Sequence, residues 1–259
     1  MTVGYVVEGA VATVTLASPE TRNVLTAETM RGLVEHLAAA AADPAVRVVV
    51  LTGEGSTFCA GADLAGAAAA DADSFTAAGP RALVEVLESM LRHPKPIVAR
   101  VQGHVAGGGN GLVAAADLAV AAESAKFAFS EVRVGVAPAV ISVVCLARMT
   151  PSHARELLLT GERVTARRVL EAGLVTAVAE DDALDAVVGS YVAQLLLGGP
   201  EALAHTKELL RRVPAMPRDE AFAWTADLSA ALFAGAEARE GMTAFLERRR
   251  PAWAPPEPS

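Results

Sequence analysis

Two β-branched runs, residues 3–7 and 11–16, flank Glu8-Gly9-Ala10, and this spacing predicts a hairpin. A helical pattern follows over 26–42 and stops at Asp43-Pro44. Residues 47–52 read RVVVLT, the near-continuous apolar run of a strand buried on both faces, and they empty into a Gly/Ser-rich loop over 53–63. A second helix is predicted over 74–92, where His93-Pro94-Lys95-Pro96 breaks it. Next come a strand over 97–101, the glycine cluster Gly107-Gly108-Gly109-Asn110-Gly111, a short helix over 112–116, and strands over 118–121 and 126–129. From Pro138 the pattern is helical to Arg250 apart from 175–178, and the Pro-rich end, 251–259, is expected to fray. Strands therefore occupy the first half and helices the second, as in an α/β core with a helical C-terminal extension.

Composition narrows the class. Of 259 residues, 53% are hydrophobic and 20% charged, which suits a packed chain and not a disordered one. Lys+Arg 22 against Asp+Glu 30 gives a net charge of −8, with no basic block before the last helix. Nucleic acid and anionic membrane are thus poor partners, and an anionic ligand needs a local patch of positive charge. Cys59 and Cys145 sit in apolar surroundings, as packed, reduced thiols do. The N-terminus has no basic region followed by a long apolar one, so a cytoplasmic protein is expected. The mean hydropathy of +0.37 comes mostly from helical alanine. The longest uncharged apolar stretch, 134–147, contains Gly135, Pro138 and Ser142 and is too short to span a bilayer.

The glycines admit two chemistries. Gly109-Asn110-Gly111-Leu112-Val113-Ala114 fits G-x-G-x-x-A with Glu131 downstream, which keeps a dinucleotide fold in play. The fingerprint belongs on a first βαβ unit with its acid at the end of the second strand, whereas here a β-rich stretch intervenes. A P-loop is excluded, because no Gly-Lys-Ser/Thr follows. Alternatively, a strand-to-helix turn of glycines offers bare backbone N–H groups where the helix dipole favours negative charge. A second N–H could come from Thr57-Phe58-Cys59-Ala60-Gly61-Ala62-Asp63, the loop after the preceding buried strand. Two such donors could grip a thioester or ester oxygen that becomes an enolate. Taken singly, each loop is equally well a tight turn.

Three blocks in order carry a family resemblance: Phe58-Cys59-Ala60-Gly61-Ala62-Asp63-Leu64, the run Gly103 through Leu112 (GHVAGGGNGL), and Phe129 through Pro138 (FSEVRVGVAP). With weaker matches such as Arg22-Asn23-Val24-Leu25 and Ala172-Gly173-Leu174-Val175, the chain resembles the crotonase (enoyl-CoA hydratase/isomerase) superfamily along nearly its whole length. The resemblance implies a spiral of ββα turns over 1–195 that binds acyl-CoA, a C-terminal helical trimerisation region over 196–259, and homotrimers or homohexamers. It implies an acyl-CoA thioester as substrate, with coenzyme A part of that substrate and no separate cofactor. The oxyanion donors would be the backbone N–H groups of Ala62 and Gly108. Ala60 would meet the adenine through its backbone. Gly61, Asp63, Leu64, Gly107, Gly109, Gly111, Arg22 and Pro138 would complete the substrate surface, with Asp63 better explained as a helix cap than as a reacting acid.

Many hydratases of that superfamily use two glutamates, one just past the glycine triplet and one on the later loop. Here the first position is Gly111, and Glu131 stands alone. The leading reading is a syn hydration in which Glu131 deprotonates water and returns the proton to the α-carbon. The stretch 130–142 resembles methylglutaconyl-type hydratases, which also carry glycine at the first position. Δ3,Δ2-Enoyl-CoA isomerisation with Glu131 as proton shuttle is a second reading, and acyl-CoA binding without turnover a third. Burial between Phe129 and the apolar run after Val134 would raise the pKa of Glu131, while Arg133, two residues on, could pair with it and lower it. Arg22, Lys207, Arg248 and Arg249 are possible partners for the coenzyme A phosphates. Cys59 lacks a base nearby, His104 suits a turn-stabilising role, and the other histidines show no metal-ligand spacing, so no metal is expected.

Overall fold

A computed structural model of the chain describes residues 2–63 and 72–255. The hairpin forms as β1 (Val3–Glu8) and β2 (Val11–Leu16), antiparallel with Val3 opposite Leu16. Helix α1 (Ala27–Ala42) starts at Thr26, whose hydroxyl accepts from Thr29 N–H, and it buries Met30, Leu33, Leu37 and Ala40 at helical spacing. The apolar runs become β3 (Val48–Gly53), β5 (Ile97–Val101) and β7 (Leu118–Ala122). They pair in parallel inside a six-stranded sheet of order β1-β2-β3-β5-β7-β10, with β10 at Ala177–Ala179. Helices cover both faces of these central strands, so Val48, Val49, Ile97, Val98, Ala119 and Val120 are fully buried.

After each long strand the chain steps into a second sheet of order β4-β6-β8-β9, built from strands of three residues each. These are β4 (Thr57–Cys59), β6 (His104–Ala106), β8 (Lys126–Ala128) and β9 (Arg163–Thr165). A helix follows each of the first two steps: α2 (Ala72–Leu91) after β4 and α3 (Gly108–Ala115) after β6. After β8, a 3-10 turn at Ser130–Val134 leads into α4 (Ala139–Cys145). Three successive strand-strand-helix turns make the expected ββα spiral.

The structure departs from the sequence pattern at several points. β4, β6 and β9 lie where no strand was expected. α3 begins at Gly108, four residues early, because the glycine backbone turns helical under tertiary packing despite poor intrinsic propensity. The end of the chain does not fray as far as residue 255. Trp253 donates from Nε1 to Leu197 O (3.0 Å), its own carbonyl accepts from Arg47 Nη1 (3.0 Å), and Ala252 N–H donates to Glu240 (2.8 Å). Residues 256–259 lie outside the described residues.

The second half continues through α5 (Pro151–Thr160), α6 (Ala166–Ala172), α7 (Leu184–Leu197), α8 (Pro200–Arg212), α9 (Arg218–Ala234) and α10 (Ala236–Glu247). Residues 195 and 196 both fall within α7, which packs Leu184 and Val188 against the spiral. Further along, α9 has no buried residue, and Phe222, Phe233, Phe245 and Leu246 are all largely exposed.

Candidate active site

The two glycine-bearing loops meet. Leu25 N–H donates to Gly61 O (2.8 Å) and Ala60 N–H to Arg22 O (3.0 Å), so the segment after β2 stitches down the loop after β4. Gly61 adopts φ +86°, and a Cβ there would stand 2.8 Å from Ala106 O and 3.2 Å from Gly108 N. Only glycine allows the first turn to rest on the second. Ala62 and Gly108 then line one cavity of about 640 Å³. Neither of their amides donates to a backbone oxygen among the described residues; Gly108 is the first residue of its helix, where N–H groups have no intrahelical acceptor.

Glu131 lines the same cavity. Its loop is anchored by Phe129, which is fully buried, and is closed by Gly135 and Val136, whose N–H groups both donate to Glu131 O. Asn110 sets the distance to the glycine turn. Its side-chain amide donates to Ala128 O (2.8 Å) and Gly107 O (3.3 Å), and Gly107 N–H also donates to Ala128 O (3.2 Å). A Cβ built on Gly107 would lie 3.5 Å from Glu131 Oε1, so the carboxylate is packed against the turn that begins α3. Glu131 Oε2 is buried and has no hydrogen-bond partner among the described residues. Burial pushes the carboxyl pKa above its ordinary value, opposed in part by the residue's own backbone N–H. Arg133 does not neutralise it: the guanidinium is exposed and donates from Nε to Thr160 O (3.2 Å).

The other sequence-derived positions divide. Asp63 and Pro138 are on the cavity wall, together with Leu25, Met30, Leu83, Val136, Val140 and Ile141. Gly107 and Gly61 lie behind it in the contact between the turns. Gly109 and Gly111 do not reach it. Gly109 faces Cys59, where a Cβ would come 2.7 Å from the carbonyl oxygen, and Gly111 faces Ile141, where a Cβ would come 2.6 Å from Cγ2. The space a side chain at 111 would need is thus filled by Ile141, with Leu87 behind it at 3.6 Å. Ala60 is half-buried beside Arg22, and the Arg22 side chain is exposed. Leu64 lies outside the described residues.

Two of the proposed phosphate partners are already engaged. Lys207 is buried and donates to Asp117 Oδ2 (2.5 Å) and Lys95 O (3.0 Å), while Arg249 is held by Glu240 and Glu247. Arg248 remains exposed. The thiols of Cys59 and Cys145 are each pushed up to about 12 by burial, which leaves them protonated and unreactive. Among the described residues no group of three or more His, Cys, Asp or Glu is placed to hold a metal ion, and no helix is long and apolar enough to cross a membrane. The sequence pattern missed Asn110 and Ile141. An amide inside a glycine cluster is a signal for the first; a contact across thirty positions left none for the second.

Residues 7–256 match the model of the enoyl-CoA hydratase/isomerase family. The chain belongs to that family. It is 35% identical over 242 residues to the enoyl-CoA hydratase EchA19 of Mycobacterium tuberculosis, covering 92% of this chain and 91% of that one. It is 34% identical over 255 residues to (E)-benzylidenesuccinyl-CoA hydratase of Thauera aromatica, covering 98% and 99%. The crystal structure of an enoyl-CoA hydratase from Mycobacterium smegmatis superposes with a TM-score of 0.93 at 33% identity, covering 98% and 99%. The protein is therefore an enzyme of the enoyl-CoA hydratase/isomerase family, acting on acyl-CoA thioesters through a crotonase-type spiral. The dinucleotide alternative falls with this result, since the G-x-G-x-x-A segment opens α3 in the second turn of a spiral and not the first turn of a βαβ unit.

Proposed function

We propose that this family member adds water across the 2,3 double bond of an enoyl-CoA thioester. The thioester oxygen lies between the amides of Ala62 and Gly108, each such donor contributing about 10²–10³ in rate as the oxygen becomes an enolate. Glu131 takes a proton from water as oxygen attacks the β-carbon, then returns it to the α-carbon on the same face, a role worth about 10²–10⁴. The observation that carries this reading is the buried, unpartnered Glu131 Oε2 in the cavity that both free amides line. A carboxylate kept there without a cation, and with only its own backbone N–H as donor, has Oε2 to spare for a ligand proton. Coenzyme A enters as part of the substrate, its adenine against the Ala60 loop and its phosphates toward exposed cations such as Arg22 and Arg248, and no further cofactor is needed. Exposed Phe222, Phe233 and Phe245 on the C-terminal helices support assembly into homotrimers or homohexamers. The expected setting is the cytosol.

Glu131→Gln should lower kcat for a short 2-enoyl-CoA at least about a hundredfold, with the affinity for a saturated acyl-CoA nearly unchanged. Undiminished turnover would remove Glu131 from the mechanism. A second reading, Δ3,Δ2-enoyl-CoA isomerisation, draws support from Ile141, which fills the space beside Gly111 and leaves Glu131 as a lone carboxylate able to carry one proton between α- and γ-carbons. Incubation with 2-enoyl- and 3-enoyl-CoA in deuterated water separates the two. Hydroxyacyl-CoA marks hydration, migration of the double bond alone marks isomerisation, and binding without either marks an acyl-CoA carrier.

A further inference from the structure

The cavity wall carries two ionisable side chains among the described residues, and both are acids, Asp63 and Glu131. Most of the remaining lining is hydrocarbon from Leu25, Met30, Leu83, Val136, Val140 and Ile141. A smaller hollow adjoins the cavity, sharing Ala27, Met30 and Ala82, and its one cation, Arg31, stands with Glu35 and Glu85. Among the described residues, acids outnumber cations in both hollows.

Such a wall decides what can be attached to the thioester. A hydrocarbon chain exchanges water for apolar contact and gains about 0.8 kcal/mol for each methylene buried. A second carboxylate at the far end of the chain would shed its water with no cation among the described residues of the cavity wall to receive it, and it would do so near Glu131. Resting on the hydratase reading above, we propose that the acyl group accepted here is an uncharged hydrocarbon chain, and that thioesters of dicarboxylic acids are rejected. This runs against the likeness of residues 130–142 to methylglutaconyl-type hydratases, because the acyl group those enzymes take carries a free carboxylate.

The test measures binding and turnover separately. Calorimetry of the full-length protein with hexanoyl-CoA and with adipoyl-CoA compares two saturated six-carbon acyl groups that cannot be hydrated. Hexanoyl-CoA should bind at least about thirtyfold more tightly; equal or tighter binding of adipoyl-CoA would overturn the proposal. The matching turnover pair is 2-hexenoyl-CoA and 5-carboxy-2-pentenoyl-CoA, for which kcat/KM should show a preference of the same order. Hydration of both at similar rates sinks the proposal and leaves the hydratase reading standing. Hydration of neither, with the binding preference intact, sinks the hydratase reading and leaves the acyl class standing. Val136 is 57% exposed on the cavity wall and has room for a longer side chain. Val136→Arg puts a cation on that wall and should narrow the preference for hexanoyl-CoA over adipoyl-CoA at least about tenfold, and an unchanged preference would overturn the assignment of the far end of the acyl chain to this chamber.

Discussion

Lys207, buried, and Glu131, half-buried, are ionisable side chains that the molecule treats in opposite ways. Under the first helix of the C-terminal extension, Lys207 is pressed against the sheet with Asp117 Oδ2 at 2.5 Å and Lys95 O at 3.0 Å, and Asp117 also takes Ile97 N–H at 2.7 Å. Burial lowers the Lys207 pKa and the Asp117 charge raises it, so pairing offsets part of the desolvation. At the mouth of the spiral, Glu131 has the burial without the pairing. The first arrangement holds two parts of the fold together; the second leaves a group whose burial is offset only in part by its own backbone N–H, and a proton relieves the rest. A buried charge held by an opposite charge serves the architecture, and a carboxylate oxygen left without a partner beside a cavity is available to a ligand.

Exchanging the damage between the two sites breaks or sustains this contrast most directly. Glu131→Gln should remove at least about 99% of turnover while changing stability by no more than about 0.5 kcal/mol near pH 7. Lys207→Met should do the reverse, lowering stability by about 2–3 kcal/mol, read from urea unfolding, because Asp117 loses the partner for a charge most of which is out of water. The folded Lys207→Met protein should keep its kcat. If it loses kcat in proportion to stability, the two regions are not separable.

Asp117→Asn probes the pairing alone, since asparagine can still accept from Ile97 N–H. Without the carboxylate, desolvation lowers the pKa of Lys207 further. Between that lowered value and the ordinary lysine value the unfolded chain binds more protons than the folded one, so stability rises with pH across this window. The deficit of Asp117→Asn relative to wild type, about 1–2 kcal/mol at pH 7 by the same measure, should therefore shrink toward pH 10. A deficit that grows with pH would show that the lysine is not the titrating group.

The smallest effect belongs to Glu131 again. Its folded pKa is raised, so the contribution of the protonated carboxyl is complete below the ordinary glutamate value and is lost as the pH climbs through the folded pKa. Glu131→Gln should melt about 1–2 °C above wild type at pH 8, the shift that roughly 0.5 kcal/mol gives after allowing for water at the cavity mouth. At pH 4 the two melting curves should coincide. A Gln variant that melts below wild type at pH 8 would mean the carboxylate has a stabilising partner.

How much could be read from the chain alone follows the range over which each contact acts. The strands of the large sheet were legible because burial on both faces demands apolar residues in a row, and helix α1 because Thr26 and the spacing of Met30, Leu33 and Leu37 are local facts. The second sheet was not, since three-residue strands among glycines carry no period and exist only through partners such as Thr57 opposite His104. At the site, the glycines and Glu131 stood out by type. The burial of Lys207, the engagement of Arg249 by Glu240 and the wedge of Ile141 against Gly111 depend on neighbours 90, 9 and 30 positions away, and all but the shortest need the fold before they can be seen.

That wedge limits how this enzyme could acquire a second carboxylate. A glutamate at position 111 collides with the methyl group of Ile141, and trimming Ile141 first leaves a void in the cavity wall. Each single step carries a packing cost, so a one-acid and a two-acid version of this site differ by two coupled replacements.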